Sequence, residues 1–291
     1  MSALTHLLLS ALLAAGAPRV ASPAPAASPA SPSMAQRIGA LQHASPAEVG
    51  AFLRAIDGAT FEEGTIGDFR VLAPDRSEAP TLLVTIDPSG RGFFNELYIL
   101  HPAGESVESQ VVETWGLRSL AGALADLAGD GRMELIVPVA LTPYRSGTDP
   151  VATWRAVFSP SRGQYVERSA DFPTFYQAGE LPRIARELAQ AEAALPGAFD
   201  RRPVHRVEAL EIERDKIQRV LGRDPNAGLG QARQWAKSSD PVERTLAIGV
   251  LADLEDAAAQ LDLAGLTHDP DAQVAIYAAA FRTMRENRHR R

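Results

Sequence analysis

The sequence predicts an α+β protein with a central antiparallel β-meander sheet, N-terminal helices and a C-terminal α-helical domain. Apolar residues first recur at helical spacing between Met34 and Ile56. From Phe69 the hydrophobic period shortens to two, and short strand-like runs follow as far as Glu167. After Phe175 the period returns to three or four residues and stays there to the end of the chain. This double change of period is the basis of the predicted fold class.

The N-terminal helical region carries a clear start signal. Ser45-Pro46-Ala47-Glu48 combines an N-cap serine, a first-turn proline and a capping-box glutamate. Val49, Phe52, Leu53 and Ile56 then form one apolar stripe. We expect this helix to pack on the domain that follows it.

Seven short runs read as strands, and turn residues separate them. They are Phe69–Val71, Thr81–Ile86, Phe93–Leu100, Val107–Trp115, Met133–Leu141, Ala152–Phe158 and Gln164–Glu167. Their short connections favour antiparallel pairing, because parallel crossovers need a dozen or more residues. A closed propeller needs typically about four to eight four-stranded blades, and this segment has room for about two. A small meander sheet or an incomplete sandwich covered by helices is therefore expected.

The C-terminal part reads as a series of helices. Leu181–Leu195 and Val204–Leu221 are predicted helices, and Asp240-Pro241 and Asp269-Pro270 each begin a further one. In both Asp-Pro pairs the aspartate can cap the helix and the proline can occupy its first turn. The predicted division of the folded chain is 34–175 for helices and β domain and 176–291 for the helical domain.

The first residues predict export. Leu7 to Ala15 is an apolar run too short to span a bilayer, and Ala15-Gly16-Ala17 fits a cleavage pattern. A later cut near Ala26 or Ala27 stays open, so the signal peptide is placed within residues 1–27. Residues 18–33 are Ala, Pro and Ser rich and read as a spacer. The expected location is periplasmic or secreted, with no membrane span after signal removal.

Composition excludes several classes of function. The net charge is -7 with a pI near 5.4, whereas nucleic-acid binding needs a basic surface. The chain has no cysteine, which removes disulfides, thiolate nucleophiles and cysteine zinc sites. It also has no H-E-x-x-H, G-x-S-x-G, G-x-x-x-x-G-K-[ST] or post-strand G-x-G-x-x-G motif. We therefore predict a protein that is not an enzyme and carries no cofactor, calcium excepted.

One acidic turn carries the candidate metal ligands Asp126, Asp130 and Glu134. The segment Asp126–Glu134 resembles the calcium loop of FG-GAP or VCBS repeats. Asp126 holds the first position of that loop, Asp130 the fifth and Glu134 the ninth, and Gly131 holds the sixth. The resemblance implies a Ca²⁺ site, since hard cations prefer clustered oxygens. Ala128 departs from the pattern at the third position. The alternative is a tight hairpin turn with positive φ at Asp130-Gly131 and with Glu134 pointing to solvent.

The helical end resembles short bacterial HEAT-like repeats over Leu221 to Met284, on the strength of its Asp-Pro helix starts. Ala257–Thr267 and Val274–Phe281 would form the last helix pair. The resemblance implies protein binding along a concave surface. An ordinary α-hairpin packed on the sheet domain is the alternative.

The sequence thus favours an exported, non-catalytic binding or scaffold protein whose helical C-terminal domain contacts a protein partner. One alternative is a cell-envelope hydrolase with a non-standard carboxylate site, because Glu96, Glu108 and Glu113 lie on predicted strands. The other is a calcium-dependent adhesion or binding module. The polar loop Tyr144–Asp149 is a further functional candidate, since loops on rigid sheets often carry function.

Overall fold

The structure is a computed structural model, and it describes residues 31–56, 65–72, 79–87, 94–117, 119–146, 151–197 and 201–289. Ser33–Arg291 forms one compact unit. The predicted export signal and almost all of the predicted spacer lie outside the described residues. The α+β class is confirmed, with helices at both ends of the unit and antiparallel strands between them.

The described strands form two four-stranded antiparallel meanders. The first sheet contains β1 (Thr65–Leu72), β2 (Thr81–Asp87), β3 (Phe94–Ala103) and β4 (Ser106–Trp115). The second contains β5 (Leu124–Ala125), β6 (Glu134–Ala140), β7 (Thr153–Ser161) and β8 (Gln164–Glu167). All seven predicted strands are present, and β5 is the one that the sequence pattern missed. The division into two sheets was not predicted either, because a period of two shows that a run is a strand without showing which strand it pairs with.

The described α-helices lie before and after the strands. They are α1 (Met34–Ala40), α2 (Pro46–Arg54), α3 (Leu181–Ala193), α4 (Arg202–Val220), α5 (Leu229–Trp235), α6 (Pro241–Asp253), α7 (Ala257–Leu266) and α8 (Ala272–His289). A π-helical turn, Phe175–Glu180, leads into α3. Each described helix is too short or too polar to cross a bilayer.

The N-terminal helices, the first sheet and the second sheet are stacked as layers, and residues on both faces of the first sheet are buried between them. The central residues of β2 are buried whichever way they point. Leu82 and Val84 pack under the N-terminal helices with Ile38 and Leu53. Leu83 faces the second sheet. The inter-sheet core also includes Leu97, Ile99, Leu135 and Val137. The sandwich is therefore covered on its first face by α1 and α2.

The outer face of the second sheet packs on the following helices. Ile136 and Val157 meet Tyr176, Ile184 and Leu210 in one apolar cluster. The Tyr176 hydroxyl donates to the Arg155 carbonyl oxygen at 2.8 Å, which satisfies its polar end in the core. A separate cluster holds the last helices together, with α6 packed against α5, α7 and α8.

The predicted helix starts are confirmed at Ser45 and Asp240, whose side chains accept from Glu48 N at 3.3 Å and Val242 N at 2.9 Å. The prediction for Asp269 is wrong. α8 begins at Ala272, so Asp271 caps it instead, while both Asp269 oxygens accept from the Arg244 guanidinium.

The loop after β6 joins the second sheet to the C-terminal helices. Arg145 forms a two-pronged ion pair with Asp271, with N–O distances of 3.2 and 3.0 Å. The Tyr277 hydroxyl donates to the Tyr144 carbonyl oxygen. Beside them, α6 approaches so closely that a Cβ on Gly249 would lie 2.1 Å from the Leu141 carbonyl oxygen. We call this set of contacts the sheet–helix joint. The described part of the predicted functional loop therefore serves as a docking contact.

Gly249→Ala tests the joint. Alanine normally stabilises a helix interior relative to glycine, by about 0.5–1 kcal/mol. Here the new methyl group meets a backbone oxygen that cannot rotate away, so we expect a loss of about 1–3 kcal/mol in unfolding free energy. Urea unfolding followed by circular dichroism measures it.

Gly265→Ala is the matched control, because a Cβ at Gly265 in α7 would meet nothing within 4 Å. That variant should be neutral or slightly more stable than the wild type. A stabilising Gly249→Ala would show that α6 does not contact the strand end.

Candidate functional site

A groove of about 800 Å³ lies between the second sheet and the C-terminal helices, directly beside the sheet–helix joint. Four parts of the chain line it: the end of β4, the face of β6 to β8, the loop after β6, and the helices α4, α6 and α8. We call it the sheet–helix groove. Clefts between packed substructures are common ligand sites.

The strand wall of the groove is aromatic and acidic. Trp115 and Phe158 supply apolar surface, and the rings of Trp115 and Tyr144 lie 5.5 Å apart at their centroids. Glu113 and Glu167 line the same wall and are exposed. This wall therefore offers both stacking surface and negative charge.

The helix wall comes from one face of α8. Tyr277, Ala280, Phe281 and Met284 line the groove at helical spacing, and Met284 is 46% exposed. Arg285 adds a positive charge on the same face. An Ala-rich helix thus presents aromatic and methionine side chains toward an aromatic strand wall.

Fixed charges form part of the groove floor. Lys216 Nζ donates to both Asp253 oxygens at 2.8 and 3.0 Å and lies 4.8 Å from the centroid of the Trp154 ring. Arg219 donates to Asp253 at 3.0 Å. Burial alone would raise the pKa of Asp253, but these two cations lower it below its ordinary value. Asp253 is therefore held ionised by its partners and acts as a structural anion.

The strand carboxylates predicted as hydrolase candidates separate in the structure. Of Glu96, Glu108 and Glu113, Glu113 lines the groove. Glu96 accepts from the Tyr98 hydroxyl at 2.8 Å, and Glu108 lies opposite His101 in the β3–β4 pairing. Glu167, which the sequence did not single out, is the second carboxylate of the strand wall.

The acidic turn binds its own backbone. Asp126 accepts from the amides of Gly129, Asp130 and Gly131 at 2.7, 3.1 and 3.0 Å. Asp130 accepts from Arg132 N at 2.9 Å. The described residues contain no group of three or more acidic, histidine or cysteine side chains placed to hold a metal ion. These hydrogen bonds from side chain to backbone close the turn on itself.

The alternative interpretation of this turn is partly corrected. Gly131 has the expected positive φ of 83°. Glu134, however, does not point to solvent: it is 2% exposed and accepts from Leu127 N at 2.7 Å. The Glu134 carboxylate closes the turn because it accepts from the Leu127 amide at the opposite end of the same turn. The alternation of polar and apolar residues in the sequence does not show such a contact.

A carboxyl group of raised pKa lies outside the groove. Glu208 of α4 is buried, accepts from Trp235 Nε1 at 3.2 Å, and leaves its Oε2 without a hydrogen-bond partner. Burial and the nearby Glu243 raise its pKa to about 7. Perturbed carboxyls often mark functional sites. Glu208 does not line the sheet–helix groove, so we expect it to affect stability and not the groove.

No family model, curated protein or solved structure matches this chain. The resemblances to FG-GAP or VCBS loops and to HEAT-like repeats therefore stay predictions. A function for this protein therefore has to be inferred from the side chains that line the groove.

The sequence did not identify the groove residues as a set. Tyr277 and Phe281 follow each other at i and i+4 in an Ala-rich segment, which is a detectable signal for an apolar helix face. Nothing in the sequence places this face opposite Trp115 and Phe158. The α8 face lies opposite these two side chains because the sheet–helix joint holds the C-terminal helices against the second sheet.

The acidic turn yields a prediction about metals. Asp126→Ala removes the acceptor for three backbone amides, so we expect a loss of about 1–2 kcal/mol in unfolding free energy. Asp224→Ala is the control, because Asp224 accepts from a single amide, Asn226 N.

We expect the wild-type melting temperature to be the same in millimolar calcium and in chelator. A calcium-dependent rise that Asp126→Ala abolishes would instead establish a cation site.

Glu208 yields a prediction about pH. The folded protein holds the Glu208 proton up to about pH 7, whereas the unfolded chain releases it near 4.5. Its contribution to unfolding free energy therefore falls as pH rises from about 4.5 to 7. Glu208→Gln should remove this slope and be more stable than the wild type at pH 8, by on the order of 1–3 kcal/mol.

Urea unfolding at half-unit pH steps measures the Glu208 effect, with the exposed Glu105→Gln as control. Parallel wild-type and Glu208→Gln curves from pH 5 to pH 8 would contradict the assignment.

Proposed function

We propose that this chain is an exported, non-catalytic binding protein whose sheet–helix groove takes an apolar segment of a protein partner. The observation that carries the proposal is the aromatic surface that the strands and α8 build together. Trp115, Phe158, Tyr277 and Phe281 are each partly exposed, and all four line one groove. Export is supported by the apolar leader followed by small residues.

The side chains of the groove suit a peptide. Tyr and Trp are enriched at protein interfaces because they bury much area at low entropic cost. Met284 adds an adaptable surface that accepts differently shaped apolar groups. A cavity of about 800 Å³ holds a few large side chains.

The charges of the groove favour one kind of peptide. Glu113 and Glu167 are exposed on the strand wall, whereas Lys216 on the floor is already neutralised by Asp253. A segment with apolar anchors and a neighbouring lysine or arginine would therefore match this wall. Arg285 on α8 would face the other edge of the same segment.

A hydrolase is the second candidate, favoured by the placement of Glu113 and Glu167 on one wall of the groove. Paired carboxylates perform acid–base chemistry when they flank a scissile bond. The two candidates differ in what happens to a captured partner. A binding protein leaves it intact, whereas a hydrolase releases fragments, and Glu113→Gln or Glu167→Gln would stop the release.

Blocking the groove tests the proposed function. Ala280 and Ala279 are adjacent exposed residues of α8, and Ala280 lines the groove while Ala279 does not. Ala280→Trp places an indole in the groove, whereas Ala279→Trp makes the same substitution outside it. The two variants therefore differ chiefly in whether the groove stays open.

We expect Ala280→Trp to lose, by at least about tenfold in affinity, a partner that the wild type and Ala279→Trp retain. Capture from the envelope fraction of the source organism, quantified by mass spectrometry, measures this, with matched melting temperatures as the folding check. Identical partner sets for both variants would contradict binding in the groove.

A further inference from the structure

Four strands lie at the edges of the two described sheets, β1 and β4 in the first and β5 and β8 in the second. An edge strand presents backbone N–H and C=O groups that no neighbouring strand uses, so a strand from another chain can pair with it. Natural proteins commonly block such edges. Three of these four edges are blocked, and β4 is the exception.

Three different features block the other edges. β1 has a bulge between Ile66 and Asp68. β5 has only two residues. At the edge of the four-residue strand β8, the Gln110 side-chain amide donates to the Tyr165 carbonyl oxygen at 2.7 Å and accepts from the Tyr165 N–H at 2.8 Å. Each feature interrupts, shortens or occupies the backbone that a further strand would need.

β4 is long and regular by comparison. It has ten residues, Ser106–Trp115, and its pairing with β3 continues without a register shift. It contains no proline and no lysine, two residues that commonly protect an edge. Val111, near its middle, is 44% exposed. β4 therefore presents an extended edge to solvent.

The register shows which backbone groups of β4 are directed outward. Gly104-Glu105 forms a two-residue turn between Ala103 and Ser106, so this pair and every second pair after it exchange hydrogen bonds across the two strands. Pro102, which has no N–H, lies opposite Val107 in the first pair that does not exchange them. The even-numbered residues of β4 therefore bond to β3, and the odd-numbered residues direct their N–H and C=O groups away from it.

Ser109, Val111 and Glu113 form the accessible middle of this edge. All three residues are exposed. Within the described part of the chain, their outward backbone groups make no hydrogen bond to another segment. Three N–H donors and three C=O acceptors therefore lie in a row, which is the pattern that an added strand requires.

The same edge leads to the sheet–helix groove. Glu113 and Trp115 both line that groove. A segment that pairs with Ser109 and Val111 and continues past Glu113 would reach the aromatic strand wall. Strand pairing would hold its backbone, and the groove would take an apolar side chain near its end.

The charges along β4 favour a basic segment. Glu108 and Glu113 are exposed on this strand, which has no lysine or arginine. Opposite charges on facing residues of paired strands are stabilising, and like charges are destabilising. A second copy of β4 would bring the same two glutamates alongside. A segment with lysine or arginine therefore fits this edge better than a second copy of this chain.

We infer that β4 binds an extended, basic segment of a protein partner as an added strand beside the sheet–helix groove. Main-chain hydrogen bonds to the open edge hold the segment, and its alternate side chains provide specificity. The inference rests on the function proposed for the groove, to which it adds the conformation and the charge of the bound segment.

Hydrogen exchange in the free protein tests whether the edge is open. The amides of Ser109 and Val111 should exchange at least about tenfold faster than those of Gln110 and Val112, which bond to β3. Nuclear magnetic resonance resolves the four amides. Equal protection of all four would overturn the inference, because the outward amides would then differ in no way from the paired ones.

The binding probe is a fluorescein-labelled peptide of four Val-Lys repeats with a tryptophan at each end, and fluorescence anisotropy measures its affinity. Two control peptides differ from it in one property each. In the first, glutamate replaces every lysine. In the second, the valines carry N-methyl groups, which remove the N–H donors along one edge of the extended peptide.

Two variants remove one outward N–H each, Val111→Pro and Ser109→Pro. Proline is tolerated at an edge where the strand N–H faces solvent, and the N–H groups that bond to β3 stay in place. Val111→Thr is the matched control, because it keeps the N–H and changes only the side chain. Circular dichroism and melting temperature show whether each variant is folded. The N-methylated peptide tests the same hydrogen bonds without any change to the protein.

We expect the Val-Lys peptide to bind the wild type and Val111→Thr equally. Val111→Pro and Ser109→Pro should each bind it about tenfold more weakly. The glutamate peptide and the N-methylated peptide should bind the wild type at least about tenfold more weakly than the Val-Lys peptide. No binding of the Val-Lys peptide at about 1 mM, or equal binding of either control peptide, would overturn the inference.

Ala280→Trp separates this inference from the proposed function. Weaker binding to Ala280→Trp together with unchanged binding to Val111→Pro would overturn strand pairing and leave binding in the groove standing. Weaker binding to Val111→Pro together with unchanged binding to Ala280→Trp would support strand pairing and contradict binding in the groove.

Discussion

The approach of Gly249 to the Leu141 carbonyl oxygen is the contact on which the rest of this structure depends. A side chain at this position would meet backbone at 2.1 Å, so α6 can reach the end of β6 only with glycine there. Because α6 packs against α5, α7 and α8, the whole helical end is placed by this approach. The Arg145–Asp271 ion pair then fixes the start of α8 against the same loop. Together these contacts set the distance between the two walls of the sheet–helix groove.

The layered core explains why cavities form at edges. Both faces of each sheet are covered, the first by α1 and α2 and the second by α3 and α4, with the inter-sheet core between them. Concave surface is left where strands or hairpins extend beyond their partner layer. The sheet–helix groove lies beside one such edge, and a second cavity, of about 670 Å³, lies at the β7–β8 turn.

Much of the fold was predictable from periodicity, since an element that packs one face on a core repeats its apolar residues at the period of its own geometry. The caps at Ser45 and Asp240 were predictable because capping is local. Contacts between distant residues were not. Arg145 and Asp271 are 126 positions apart, and nothing near either residue specifies the other. The buried carboxylate of Glu134 was missed for the same kind of reason, because its partner amide belongs to the far side of a turn. The candidate site is a product of such contacts: the sequence singled out Glu113 and the loop at Tyr144, but not the aromatic side chains that meet across the groove.

A distance measurement across the groove tests this account most directly. The native chain has no cysteine, so spin labels at Glu113→Cys and Met284→Cys report only the two chosen positions, one exposed on each wall. Pulsed electron spin resonance should give one narrow distribution at the short end of the measurable range, because the joint holds α8 against the sheet. A broad or two-peaked distribution in the otherwise unmodified protein would show that the helical end is not fixed to the sheet, and the groove would lose its physical basis.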